Sequence, residues 1–254
     1  MRVTDDDGIR TVTFDRPEVL NAFSMETAEE LADVLAESDA SEHDAVVLTG
    51  EGEAFSAGGD IQSMAEREET PEEAFDRVTE TFGRVVEEAL DAPVPIVAKV
   101  NGDAVGAGLA VTAVSDFAYA VESATFGCAF VRVGLIPDTG GSFLLPKIVG
   151  LRTAKRLAFT GEFFGAEEAE EMDLLNEVVP DEQLDAAVDD LLETLQKRPT
   201  KTIGLAKRAI HGNMGKAWHE AMEYENMVQS LAYGTPAHEE GVSAFLEGRD
   251  PEFE

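Results

Sequence analysis

The chain has 254 residues, with 52 Asp plus Glu against 19 Lys plus Arg and a formal net charge of −33. A surface this acidic, with no local Lys/Arg cluster, repels phosphate backbones and anionic lipid heads, which argues against nucleic-acid binding and peripheral membrane attachment. Disorder, the other usual correlate of high charge, is disfavoured by a 44% hydrophobic content spread in apolar runs along the whole length.

Residues 9–14 (IRTVTF) alternate apolar and polar, the period of a half-buried strand. A helix is predicted next, with Ser24 as N-cap, Glu26 in the first turn, and Ala28, Leu31, Ala32 and Leu35 at helical spacing. The continuous apolar run 45–49 (AVVLT) reads as a strand covered on both faces. Thr70-Pro71-Glu72-Glu73 is a capping box with proline at the first helical position. The stripe Ala74, Val78, Phe82, Val85, Val86 and Ala89 continues that helix until Pro93 and Pro95 end it. A second buried strand, 96–100 (IVAKV), leads through Asn101-Gly102 into an apolar helix at about 105–114. Strand-like segments at 117–121 and 124–126 follow, then a Gly/Pro loop at 134–141 and a helix near 141–149. Alternating strands and helices imply right-handed crossovers and a largely parallel sheet, an α/β fold. From about residue 151 the chain reads as almost purely helical, with helices over 184–195, 200–211, 215–232 and 236–247.

The single cysteine, Cys128, rules out an intrachain disulfide and a cysteine-based zinc site. No signal-like or membrane-spanning run is visible, so a cytoplasmic protein is expected. A charge of −33 exceeds what solubility alone requires, and it matches a protein adapted to multimolar salt, where screening shrinks to a few Å.

Two glycine-rich turns carry the candidate chemistry, 55–60 (FSAGGD) and 106–108 (GAG). Such turns let backbone N–H groups point outward, and a helix N-terminus adds a positive dipole end. Brought together, they would hold a developing oxyanion between two amide donors. Other motifs fail: Gly106-Ala107-Gly108-Leu109-Ala110-Val111 lacks the last small residue of a dinucleotide fingerprint, no GK[ST] follows a glycine loop, and Ala54 precedes Ser56 where a nucleophile elbow needs glycine. The histidines, His43, His211, His219 and His238, lie outside the glycine-rich region, and none forms HExxH, so no metal site is expected.

Five ordered segments then resemble the enoyl-CoA hydratase/isomerase (crotonase) family: Arg16-Pro17-Glu18-Val19-Leu20-Asn21-Ala22, Phe55 to Ile61, Val100-Asn101-Gly102 into Gly106-Ala107-Gly108, Ser115-Asp116, and Gly134 to Gly141. Ser243 to Arg249 fits that family's tail. The resemblance implies a crotonase-type core of stacked β/α units over 1–195. It also implies a helical region over 196–254 that packs on the core and on neighbouring subunits, giving a homotrimer or a dimer of trimers. It implies an acyl-CoA thioester substrate and no cofactor beyond that coenzyme A, with the oxyanion donors matched to the amides of Ala57 and Ala107. Hydratases of the family carry two glutamates whose positions here are Ala110 and Phe130. Asp138 matches the acidic residue of isomerase-type members, so an enoyl-CoA isomerase with Asp138 as acid/base is expected. The alternatives are a hydratase or lyase on the same fold and a non-catalytic acyl-CoA-binding subunit, in which Asp138 is only a helix cap. The substrate-binding set that the resemblance implies is Gly58, Gly59, Asp60, Ile61, Val19, Gly106 and Phe130. Arg16 and Arg249 are the candidates for the CoA phosphates, because Glu18 and Gly248 stand where many relatives have lysine. Asp60 reads as a turn cap beside the CoA site, and Met25, Phe75 and Phe82 as core residues first and candidates for the acyl pocket second.

Overall fold

The apolar runs at 45–49, 96–100 and 117–121 have no polar face to give to water, and they form adjacent parallel strands at the centre of one sheet. In the computed structural model, which describes residues 1–253, the elements run as follows. β1 (Arg2–Asp6) and β2 (Ile9–Phe14) make a hairpin, followed by α1 (Met25–Ala36), β3 (Ala45–Gly50), β4 (Ala54–Ser56), α2 (Ile61–Ala65), α3 (Pro71–Val78) and α4 (Arg84–Asp91). Next come β5 (Ile96–Val100), β6 (Asp103–Val105), α5 (Ala107–Val114), β7 (Phe117–Val121), β8 (Thr125–Gly127), α6 (Gly141–Ile148) and α7 (Leu151–Thr160). The chain closes with β9 (Phe163–Gly165), α8 (Ala166–Glu171), β10 (Glu177–Val179), α9 (Leu184–Gln196), α10 (Thr200–Asn213), α11 (Trp218–Tyr233) and α12 (Pro236–Glu247). Glu254, the last residue of the region expected to be helical, lies outside the described residues.

Two sheets result among the described residues: a six-stranded one in the order β1-β2-β3-β5-β7-β10, and a four-stranded one in the order β4-β6-β8-β9. Only β1 and β9 run antiparallel to their neighbours, so the expected parallel architecture holds. The caps also form as the sequence reads. Ser24 accepts from the Thr27 amide, and Thr70 and Glu73 make a reciprocal capping box.

Two expectations need correction. The chain after residue 151 is not almost purely helical, because β9 extends the small sheet and β10 the large one. Strands of three residues are too short to show a period, and β10 is fixed by tertiary partners: the Asn176 side chain accepts from the Ala118 amide at 2.7 Å. The helix expected from 71 to 92 is also interrupted, by a wide π turn at Thr79–Gly83. That turn rotates Phe82 inward to 7% exposure, where its ring meets Phe23 edge-on at 6.4 Å.

The C-terminal helices join the core through one buried ion pair. Lys207 on α10 donates to Asp116 at 2.6 Å, and the same carboxylate oxygen accepts from the Ile96 amide at the start of β5 at 2.8 Å. Gly204 permits this approach, since a Cβ there would lie 2.3 Å from the Pro93 carbonyl oxygen. By contrast, α11 and α12 each bury a single residue, Val228 and Ala244, and leave Trp218, Phe245 and Leu246 more than two-thirds exposed.

Candidate active site

The two glycine turns meet. β4 and β6 are adjacent parallel strands of the small sheet, so the turns that follow them leave the sheet side by side. The first is held by an aromatic chain, Phe14 against Phe23 at 5.0 Å and against Phe55 at 5.3 Å, and by the Phe23 amide donating to the Gly58 carbonyl at 2.7 Å. Gly58 has φ +94, and a Cβ built there would stand 2.7 Å from the Val105 oxygen and 3.4 Å from the Ala107 nitrogen. A side chain at 58 would therefore occupy the space between the turns, which is why glycine is required. Gly108 seats α5 just as closely on β4, because its Cβ would lie 2.5 Å from the Ser56 carbonyl oxygen.

Which amides point into the space between the turns is set by their other partners. The Ala57 amide donates to the Leu20 carbonyl at 2.9 Å, and the Gly58 amide to the Ser56 hydroxyl at 3.2 Å. The expectation that Ala57 supplies an oxyanion donor is thereby corrected: its hydrogen is already used to hold the 16–22 loop. Among the described residues, the amide of Gly59, two residues on, has no acceptor, and neither has that of Ala107 at the first position of α5. Ala107 also sits at the positive end of an eight-residue helix whose every residue is buried.

These turns wall a cavity of about 270 Å³ lined by Ala57, Gly58, Gly59, Gly106 and Ala107 on one side. Ile61, Met64, Phe82, Phe130, Arg132, Leu135 and Asp138 are among the residues that line the rest of it. Of the predicted residues, Phe130 is there, 8% exposed, and Ala110 is buried in α5 beneath. Phe82 lines the cavity, whereas Phe75 is exposed and Met25 lies under Arg77 and Thr81 instead. Met64 and Leu135 are additions to the predicted set; Met64 reaches the cavity from α2 and Leu135 from the loop before α6.

Asp138 is the sole carboxylate on that lining. Its side chain does not cap α6. The residue before that helix is Gly140, and Asp138 contributes only its backbone carbonyl, to the Gly141 amide at 2.7 Å. Burial pushes the Asp138 carboxyl above the ordinary carboxylate range, while the Thr139 hydroxyl, donating at 3.0 Å, its own amide and the charge of Arg77 pull it partly back. Thr139 itself is held at φ +50, costly for a β-branched residue, so the loop that presents Asp138 is strained.

The remaining predicted residues frame this space. Asp60 caps α2, accepting from the Ser63 amide and then from Arg16 at 3.1 Å, and both bonds hold its carboxyl below the usual range. Arg16 also donates to the Ala22 carbonyl, so it ties the 16–22 loop to the first glycine turn. Val19 sits half-exposed on that loop, at 38%. Arg249 is clasped by Glu240 and Glu247 at the end of α12, which holds the Glu240 carboxyl down to about 2. Neither arginine lines the cavity. No group of His, Cys, Asp and Glu among the described residues is arranged to hold a metal ion, and no helix is long and apolar enough to cross a membrane.

Stacked β/α units in two sheets, helices closing the C-terminal end, and two glycine turns meeting over a carboxylate define the crotonase fold. Solved structures agree. The enoyl-CoA hydratase from Mycobacterium smegmatis superposes with a TM-score of 0.92 at 30% identity, covering 99% of this chain and 98% of that one. The enoyl-CoA hydratase/isomerase family model matches residues 4–254, and the chain belongs to that family. Among its curated relatives, the 1,2-epoxyphenylacetyl-CoA isomerase of Escherichia coli (strain K12) is 36% identical over 248 residues, 97% of this chain and 95% of that protein. The crotonyl-CoA hydratase of Syntrophomonas wolfei is 32% identical over 240 residues, 94% of this chain and 91% of that protein.

Proposed function

We propose that this protein is an enoyl-CoA isomerase that shifts a double bond along the acyl chain of a CoA thioester, with Asp138 as its single acid/base and the amides of Gly59 and Ala107 as its oxyanion hole. The observation that carries this reading is the lone carboxylate: one titratable acid faces two unpaired amides across the cavity, and the two positions where hydratases of the family have glutamate are Ala110 and Phe130. Asp138 takes a proton from C2 of a 3-enoyl thioester, and the electron pair moves through C2 and C1 onto the thioester oxygen. The resulting dienolate is held by the two N–H donors, and Asp138 returns the proton at C4, leaving a 2-enoyl thioester. One base suffices because the same proton leaves and re-enters on one face. A carboxyl lifted by burial suits both halves of the cycle, being a stronger base when ionised and a stable acid once protonated.

Each amide donor contributes roughly 10²–10³ in rate where it meets charge that develops only in the transition state. The exposed apolar face of α11 and α12 supports assembly into trimers, since Trp218, Phe245 and Leu246 have no cover within one chain. The test is an assay of 3-enoyl-CoA isomerisation beside hydration of a 2-enoyl-CoA. Isomerisation faster than hydration, lost in Asp138→Asn, is the expected result. Rapid hydration surviving that substitution sinks the proposal in favour of a hydratase, and tight binding with no turnover of either ester does so in favour of a binding subunit.

A further inference from the structure

Beside this cavity, past Asp138, lies a second chamber of about 470 Å³. Ile61, Met64, Phe82, Val133, Leu135 and Asp138 line both, so the two adjoin across a shared wall. The far chamber adds Arg67, Glu69 and Arg77 to this otherwise apolar wall. Arg77 is satisfied, donating from Nε and Nη2 to the Glu69 carboxylate at 2.8 and 2.5 Å. Arg132, the other arginine bordering this space, donates to the Gly161 carbonyl at 2.6 Å and lies over the Phe163 ring. Arg67 is half-buried as a residue, and among the described residues its guanidinium has no hydrogen-bond acceptor and no carboxylate within ion-pair reach. On this wall Arg67 keeps its donors free, whereas Arg77 and Arg132 have theirs engaged. Its five donors in a planar fork match a carboxylate bidentately.

We propose that Arg67 is a specificity residue that receives an anionic group at the far end of the acyl chain, so that the preferred substrates are CoA thioesters of acids carrying a second, terminal carboxylate. This rests on the reading of the cavity as the acyl site. The thioester end lies at Gly59 and Ala107, the reacting carbons lie beside Asp138, and the terminal carboxylate replaces the partner that Arg67 lacks. A methyl-ended chain of equal length would leave the guanidinium unpaired and cover it from water, so the site rejects it.

The experiment measures equilibrium binding, so that it reads the far chamber even where the isomerase chemistry fails. Probes are saturated acyl-CoA monothioesters of straight-chain dioic acids of six to ten carbons, the methyl-ended acyl-CoAs of the same lengths, and free CoA. In the wild type, at least one dioic ester should bind about 10- to 100-fold more tightly than its methyl-ended partner. Arg67→Gln should erase that preference, by weakening the dioic ester and by relieving the penalty on the methyl-ended one, while leaving free CoA within about two-fold. Arg67→Lys should retain part of it, since it keeps the charge and loses the fork. Equal binding of the two series by the wild type overturns the proposal. So does an Arg67→Gln protein that loses affinity for free CoA as strongly as for the dioic ester, because the anion met by Arg67 is then a coenzyme phosphate.

Discussion

Gly108→Ala tests whether the site works as two turns held at a fixed separation. The added Cβ would stand 2.5 Å from the Ser56 carbonyl oxygen and 2.9 Å from the Ser56 Cβ, where ordinary contact begins at 3.4 Å. About 0.9 Å must therefore be found between α5 and β4, against backbone on both sides. Because Ala107 is the neighbouring residue, its amide moves with the helix, while Gly59 stays with the first turn. A displacement near 1 Å costs on the order of 10² in rate, and full loss of one oxyanion donor about 10²–10³. We expect kcat to fall by about 10²-fold with a smaller change in KM, because the donor acts mainly on the enolate, and overpacking to cost about 1–3 kcal/mol of stability. The control is Gly165→Ala, where no atom lies within 4 Å of the new Cβ and φ is −83, and which should leave both quantities unchanged. Steady-state kinetics and denaturant unfolding of the two variants decide the matter. A folded Gly108→Ala enzyme with kcat within three-fold of wild type would falsify the assignment of Ala107.

Asp138→Asn should lower the isomerisation rate by about 10²–10⁴ without loss of stability. Burial raises the folded-state pKa of Asp138 above its unfolded value, so the cost of its charge is absent below the unfolded pKa and fully present once pH exceeds the folded one. The amide carries no such cost, and the variant should therefore unfold at equal or higher denaturant at pH 7 than wild type. Its destabilisation there would contradict the account of the carboxyl. Asp116→Asn should cost about 3–5 kcal/mol by leaving the Lys207 ammonium buried and unpaired, and adding Lys207→Met should restore much of the loss, as urea titration of the three proteins will show. Since CoA is itself a polyanion and the chain carries −33 charges, KM for CoA esters should fall as KCl rises toward molar levels. A flat KM in a protein shown to stay folded removes the electrostatic argument and the case for salt adaptation.

The elements that sequence alone located are those whose signal is local and long. Leu31, Ala32 and Leu35 repeat at helical spacing behind a Ser24 cap, and Ala45 to Leu48 has no polar face to offer water; both segments fold as read. β9, β10 and the π turn at Thr79–Gly83 have no such signal, because three residues define no period and a π turn depends on what the buried Phe82 packs against. The site divides in the same way. The glycines at 58 and 108 and the acid at 138 are legible as residue types, whereas the choice between Ala57 and Gly59 rests on the Leu20 carbonyl, 37 positions away in sequence. Arg67 stands among acids in Ala65-Glu66-Arg67-Glu68-Glu69 and reads as an ordinary solvated charge, since nothing in the string shows that Glu69 turns to Arg77.

By itself, then, the sequence determined the parallel α/β plan, the family, two glycine-rich turns and an acid at 138. These follow from periodicity, from glycine's freedom at positive φ and from ordered motifs, all carried by neighbours in the chain. Only the tertiary structure decided which amides are free, that Asp138 faces the cavity and does not cap α6, and that Arg67 is left without a partner. Those are questions of hydrogen-bond competition, and each donor's acceptor is fixed by residues that folding brings near and the sequence keeps far apart.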